Sequence, residues 1–170
     1  MCWLSTEKKD YMIANEDIRV YKVMLQKPGG RIFDSFYFHK TYETGQVYKT
    51  VVNPVYNNIE CFYRTRIEGG FHSYDKSKTI IKGNSFYWII KVKNRPYNPE
   101  IIRCPYSIRG YEDIVAVECV IPKGSFYYMN ELGEIVSNQL MVTGNILKRF
   151  NFKRKRRIEK KLLAIISKPD

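Results

Sequence analysis

The stretch Asp113–Ile121, DIVAVECVI, decides the fold, because it is the most apolar run of the chain. A short continuous apolar run that ends at turn residues is typical of a strand buried inside a sheet. Pro122–Lys123–Gly124–Ser125 follows at once and supplies such an end. We therefore predict that Asp113–Ile121 is the central strand of the protein.

The residues after this run predict further strands. Phe126–Met129 and Glu134–Ser137 flank the turn sequence Asn130–Glu131–Leu132–Gly133, which indicates a hairpin. Gln139–Val142 is predicted as one more strand before Gly144. The segment C-terminal to the central strand is therefore expected to be β-structure as far as position 142.

The residues before the central strand are also rich in β-patterns. Asp17–Gln26 has the residue pattern of a two-sided strand, and Arg31–Lys40 is rich in aromatic residues. The turn sequence Pro28–Gly29–Gly30 between them predicts a β-hairpin. Three more segments are predicted as strands: Gly45–Val52, Ile59–Arg66 and Ser85–Lys93.

Two segments between these strands predict other structure. Ser73 and Asp75 are residue types that begin helices, so a short helix is expected after them. Asn94–Tyr106 contains three prolines and is predicted to be a long loop.

The basic tail Asn145–Asp170, NILKRFNFKRKRRIEKKLLAIISKPD, is the other conspicuous feature. It holds ten Lys/Arg and two acidic residues, so it carries eight of the chain's twelve net positive charges. On a helical wheel its apolar residues occupy one arc and its basic residues the opposite arc, which is typical of an amphipathic helix. Five consecutive cations at Lys153–Arg157 repel one another, which favours a polyanionic partner over a merely solvated face.

Composition predicts one folded unit of the α+β class. Residues 1–144 form a β-rich scaffold with a twisted, mostly antiparallel sheet, and residues 145–170 form a basic C-terminal helix packed on it or extending from it. Four cysteines without C-x-x-C spacing and two histidines predict neither a metal site nor a cofactor. With no signal peptide and no apolar run of about 20 residues, we expect a cytoplasmic protein with reduced thiols and no membrane partner.

The predicted binding residues all lie in the tail, and no catalytic residue is predicted. A row of cations suits a phosphate backbone, so RNA or an RNA–protein complex is the expected partner. Phe150 and Phe152 are candidates for stacking on bases, and equally for anchoring the tail in the core. The predicted nucleic-acid-binding residues are Lys148, Arg149, Lys153, Arg154, Arg156, Arg157, Lys160 and Lys161.

Several blocks of the sequence resemble a family of small proteins from Bacteroidetes and their phages, for which we know no function. They are MCW…IANEDIRVYKVM at the start, GFHSY at 70–74, and VECVIPKGSFYY…GEIVSNQLMV near the end. They are scattered over residues 1–142, and the sequence departs from the family in the middle and in the basic tail. An added basic tail on a phage-type scaffold suggests an inhibitor of a host RNA-guided nuclease, an anti-CRISPR protein.

Two alternatives stay open. One is a protein-only module that binds an acidic host surface through the tail. The other is an ADP-ribosyltransferase-like enzyme that uses Glu131 and Glu134, which follow an aromatic strand. Those enzymes carry a Ser-Thr-Ser strand and a tighter glutamate spacing, and this chain has neither.

Overall fold

Every regular element that the structure describes is a β-strand. A computed structural model describes residues 3–6, 11–35, 40–56, 65–83, 87–92, 100–103 and 113–150. The strands are β1 (Trp3–Thr6), β2 (Met12–Ile13), β3 (Ile18–Gln26), β4 (Ile32–Ser35), β5 (Thr41–Glu43), β6 (Val47–Lys49), β7 (Val52–Tyr56), β8 (Thr65–Gly69), β9 (Phe71–Asp75), β10 (Thr79–Gly83), β11 (Tyr87–Val92), β12 (Glu100–Arg103), β13 (Asp113–Ile121), β14 (Phe126–Met129), β15 (Glu134–Ser137) and β16 (Gln139–Phe150).

A ten-stranded antiparallel sheet contains most of these strands, in the order β2-β14-β15-β9-β3-β13-β16-β6 with β4 and β5 attached to β3. The predicted central strand is confirmed, with the predicted bounds. β13 pairs along its whole length with β3, from Asp113↔Gln26 to Ile121↔Ile18, and pairs with β16 on its other side. Two three-stranded sheets, β1-β8-β7 and β10-β11-β12, complete the described fold.

The side chains of β13 alternate between two faces of the sheet, and both are buried. Val115, Val117, Cys119 and Ile121 point to what we call the inner face, where they join the main hydrophobic core. Ile114, Ala116, Glu118 and Val120 point to the outer face and are at most 9% exposed. A strand covered on both sides is mostly apolar, which explains why this run stands out in the sequence although it contains the buried Glu118.

Other predicted strands are confirmed as well. The predicted hairpin of Asp17–Gln26 and Arg31–Lys40 is present as β3 and β4, which pair through Met24↔Ser35 and Gln26↔Phe33, while residues 36–39 lie outside the described residues. The hairpin of β14 and β15 has its predicted turn, and β11 lies within the predicted strand Ser85–Lys93.

The predicted α+β class with a C-terminal helix is wrong for the described residues. β16 continues past position 142 as far as Phe150, and its last part pairs with Ile114–Val117 of β13. In that position main-chain groups of residues 145–150 complete the sheet beside a buried strand, which outweighs a helical pattern in the sequence. The rest of the predicted helix, residues 151–170, lies outside the described residues.

Three further predictions need correction. Asp75 is the last residue of β9 instead of a helix cap, and its carboxylate accepts the Ser77 N–H at 2.8 Å, so it closes a turn into β10. The predicted loop Asn94–Tyr106 contains β12, which pairs with β11. Gly45–Val52 is interrupted after Lys49 and contains β6 and only the first residue of β7.

Candidate nucleic-acid interface

A buried carboxylate on the outer face organises the basic residues around it. Glu118, in the middle of β13, has a side chain only 7% exposed. Its Oε2 accepts a hydrogen bond from Lys76 Nζ at 3.0 Å, and its Oε1 lies 3.8 Å from Arg19 Nη1. Lys76 follows β9 and Arg19 belongs to β3, so two strands neighbouring each other in the sheet bring the cations to one acid. The Glu118 side chain is therefore compensated where an isolated buried charge would be very costly.

The environment of Glu118 keeps it ionised. The hydrogen bond from Lys76 holds the pKa of this carboxyl below its usual range, and it outweighs the opposing effect of burial. The charge of Lys76, a hydrogen bond from Asn145 and the charge of Arg19 add to the lowering. Asn145 is itself placed by Thr143, whose Oγ1 donates to the Glu118 carbonyl at 3.0 Å and accepts the Asn145 N–H at 3.2 Å.

Lys148, one of the predicted binding residues, lies on the same face. It pairs with Ala116 across the β13–β16 ladder, and directly opposed residues of antiparallel strands share a face. Ala116 and Glu118 are two positions apart, which is about 7 Å along a strand. Arg19, Lys76 and Lys148 are called the outer-face basic patch below.

Arg149, the next predicted binding residue, lies on the inner face instead. It pairs with Val115, and its Nη1 donates to Gln26 Oε1 at 2.8 Å and to Asp113 Oδ2 at 3.2 Å. Gln26 is buried and Arg149 is about half exposed, so this guanidinium ties the end of β16 to β3 and β13. Its guanidinium is paired with Asp113, and it does not belong to the outer-face basic patch.

The structure therefore brings only part of the predicted site into view. The backbone of Phe150 pairs with Ile114, and nothing is described of its side chain. The other predicted residues lie outside the described residues: Phe152, Lys153, Arg154, Arg156, Arg157, Lys160 and Lys161.

Arg19 and Lys76 were missed by the sequence reasoning. A usable signal was Glu118 itself, an acid with apolar residues on both sides in the run, because such a residue requires a cationic partner. The sequence does not show which cation pairs with Glu118, because Lys76 is 42 residues away along the chain and is brought close by strand pairing.

Two of the sequence blocks behind the resemblance hold each other in place. The Asp17 carboxylate accepts the Lys123 N–H at 2.8 Å, while Ala14 accepts the Gly124 N–H at 2.8 Å and donates to the Ser125 carbonyl at 3.0 Å. IANED and IPKGS are therefore the two sides of one turn contact. Gly124 takes φ +82°, a conformation that favours glycine.

Glu134, one of the glutamates of the enzyme alternative, takes part in a turn. Asn130 Nδ2 donates to its carboxylate, and Asn130 Oδ1 accepts the N–H groups of Leu132 and Glu134, each at 3.0 Å. Gly133, at φ +83°, completes this turn. These contacts account for an Asn and a Glu at these positions through the geometry of the hairpin.

The chemistry available elsewhere in the described ranges is limited. No group of three or more His, Cys, Asp or Glu side chains among these residues is arranged to hold a metal ion. Cys119 is a free thiol in the core, and burial raises its pKa to about 12, which keeps it neutral. Within the same residues, no helix has the length and apolar character required to cross a membrane.

Comparisons with known proteins found no match to this chain among protein-family models, curated proteins or solved structures.

Proposed function

We propose that this protein is a non-enzymatic nucleic-acid-binding protein that contacts phosphate groups through its outer-face basic patch and its basic C-terminal segment. The observation that carries the proposal is the arrangement around Glu118. A buried acid holds Lys76 and Arg19 at the surface, while Lys148 lies on the same face.

The arrangement supports anion binding because the acid and the cations differ in exposure. The Arg19 side chain is 74% exposed and that of Lys76 is 38% exposed, against 7% for Glu118. An approaching phosphate therefore meets guanidinium and ammonium groups before it meets the carboxylate. Because the hydrogen bond to Glu118 also restrains Lys76, this side chain loses less conformational entropy when a ligand binds.

The C-terminal segment supplies most of the charge that a long polyanion requires. Lys148 lies within this segment and, through β16, connects it to the patch. RNA in the cytoplasm, free or within a host RNA–protein complex, is the partner that we propose. The resemblance to phage proteins extends this proposal to inhibition of an RNA-guided nuclease.

The test is a salt titration of binding to a labelled single-stranded RNA, measured by fluorescence anisotropy. Each phosphate contact that is lost should reduce the slope of log affinity against log salt by about 0.7 on a single strand. We expect Arg19→Gln and Lys148→Gln each to flatten the slope, and the joint replacement of Lys153, Arg154, Arg156 and Arg157 by Gln to flatten it most.

Lys49→Gln is the matched control. Lys49 is exposed on the edge strand β6, and this substitution removes the same single positive charge. The proposal fails if the wild type shows no salt-dependent binding. It also fails if the patch and tail variants lose no more affinity or slope than Lys49→Gln does. Recovery of a host nuclease on the protein after complete RNA digestion would point instead to protein recognition.

A further inference from the structure

We propose that Tyr11 and Phe126, at one edge of the outer face, form a stacking platform for unpaired nucleobases. This inference rests on the proposed function and deepens it: the preferred ligand is a single strand, read partly through its bases. Phosphate contacts alone give no preference for single strands, because a duplex has the higher charge density. An aromatic platform, in contrast, accepts only bases that are free to leave a helix.

The two rings lie side by side on neighbouring strands. Phe126 of β14 pairs with Ile13 of β2, and Tyr127 pairs with Met12, which places Tyr11 opposite Tyr128. The ring centroids of Tyr11 and Phe126 are 4.8 Å apart, and that of Tyr128 is 6.5 Å from Tyr11. Alternation along the strands puts all three aromatic side chains on one face.

Burial identifies this face and shows how the platform is supported. Tyr128 is buried in a cluster with Leu4, Ile67 and Val136. Tyr74 is on the outer face, because it pairs with Tyr21, and Tyr21 pairs with Glu118. His72 is two positions before Tyr74, so its partner Val136 is on the outer face too. The aromatic pair and the outer-face basic patch therefore belong to the same face of the sheet. The buried Tyr128 ring packs against Tyr11, and Tyr11 against Phe126, so these two exposed rings need little reordering when a base stacks.

Exposure indicates that the platform is made for a ligand. Tyr11 is 52% exposed, Phe126 44% and Ile13 52%, although Phe and Ile are among the residue types most often buried. Tyr128 carries the packing of this edge, so the fold itself does not require two exposed rings above it. A contiguous exposed aromatic surface is typical of a binding site.

Charge favours a nucleic acid over a second copy of the chain as the occupant. Two chains of net charge +12 repel each other, whereas a polyanion is attracted. Lys123, three positions before Phe126, is exposed and adds a positive charge on the same segment.

The experiment compares a labelled oligouridine with a duplex DNA of equal phosphate number. Tyr11→Ser and Phe126→Ser should each weaken oligouridine binding about tenfold, because one stacked base is lost, and should leave the salt slope unchanged. Duplex binding should change less than twofold. Tyr11→Trp should restore or exceed wild-type affinity for the oligouridine, which a merely structural role of Tyr11 would not produce.

Val47→Ser is the control, since Val47 is 42% exposed on the opposite edge strand β6. The urea midpoint of each variant establishes that it is folded. If Tyr11→Ser and Phe126→Ser both bind like the wild type and binding depends on salt, the platform is overturned and the proposed function stands. If the wild type does not bind at all, the proposed function itself is overturned. Equal losses for oligouridine and duplex, or a dimer in sedimentation that the serine variants dissociate, would also overturn the platform.

Discussion

Lys76 donates a hydrogen bond of 3.0 Å to Glu118, and this contact joins the end of β9 to the middle of the most buried strand. The two residues differ sharply in exposure, with side chains 38% and 7% exposed. The pair therefore stabilises an acid inside the fold while it keeps a cation at the surface.

Removal of Lys76 should destabilise the protein more than removal of an ordinary surface lysine. We expect Lys76→Met to lower the free energy of unfolding by about 1–3 kcal/mol, because Glu118 loses its strongest partner while Arg19 remains. Urea denaturation at pH 7 measures this loss. Lys49→Met is the control and should change the same quantity by less than about 0.5 kcal/mol; equal losses in the two variants would contradict the role of the pair.

The same acid predicts a specific dependence of stability on pH. Because the pKa of Glu118 is lowered in the folded protein from a reference value of 4.5, its ionised form stabilises the fold at pH values above 4.5. That stabilisation is lost as the pH falls through the folded-state pKa. We expect the difference in unfolding free energy between wild type and Glu118→Gln to be constant from pH 7 to pH 5.5 and to shrink below pH 4.5. A difference that stays the same down to pH 3 would exclude Glu118 as its source.

Two glycines with similar backbone angles should respond very differently to alanine. Gly70 and Gly124 have φ of +76° and +82°, so each alanine incurs about 1–2 kcal/mol of backbone strain. An added Cβ at Gly124 meets nothing within 4 Å, whereas at Gly70 it falls against Val136 Cγ1 and 3.1 Å from the Ser137 carbonyl oxygen. We expect Gly70→Ala to lower the thermal midpoint clearly more than Gly124→Ala. Similar midpoints would mean that packing at Gly70 adjusts without cost.

Arg149 is expected to act on stability more than on binding. Arg149→Met leaves the buried Gln26 Oε1 without its guanidinium donor, so we expect a loss of about 1–3 kcal/mol in chemical denaturation. Its effect on the salt slope of RNA binding should be smaller than that of Lys148→Gln, because Arg149 lies on the inner face, away from the outer-face basic patch. Arg31→Met removes an exposed arginine as the control. A large change in slope without loss of stability would assign Arg149 to the phosphate contacts.

The strands predicted best from sequence are those whose pattern depends on their own side chains. Asp113–Ile121 is confirmed because a strand buried on both faces is apolar at most positions on both faces. The hairpin turns around Gly29–Gly30 and Gly133 are confirmed because their φ values strongly favour glycine. The predicted class was wrong at residues 145–150, where β13 supplies a partner strand that a helical wheel does not represent. The short helix after Asp75 was wrong for a similar reason, since the same cap residue also closes a tight turn.

The candidate site divides in the same way. The sequence by itself determined that the chain is strongly basic, that most of this charge lies at the C-terminal end, and that Glu118 lies between apolar residues of the central strand. Only the tertiary structure decided that Lys76 and Arg19 meet that acid, and that the neighbours Lys148 and Arg149 lie on opposite faces. The reason is physical: these relations depend on the register between strands distant in sequence, and a shift of one residue would exchange the faces of every side chain.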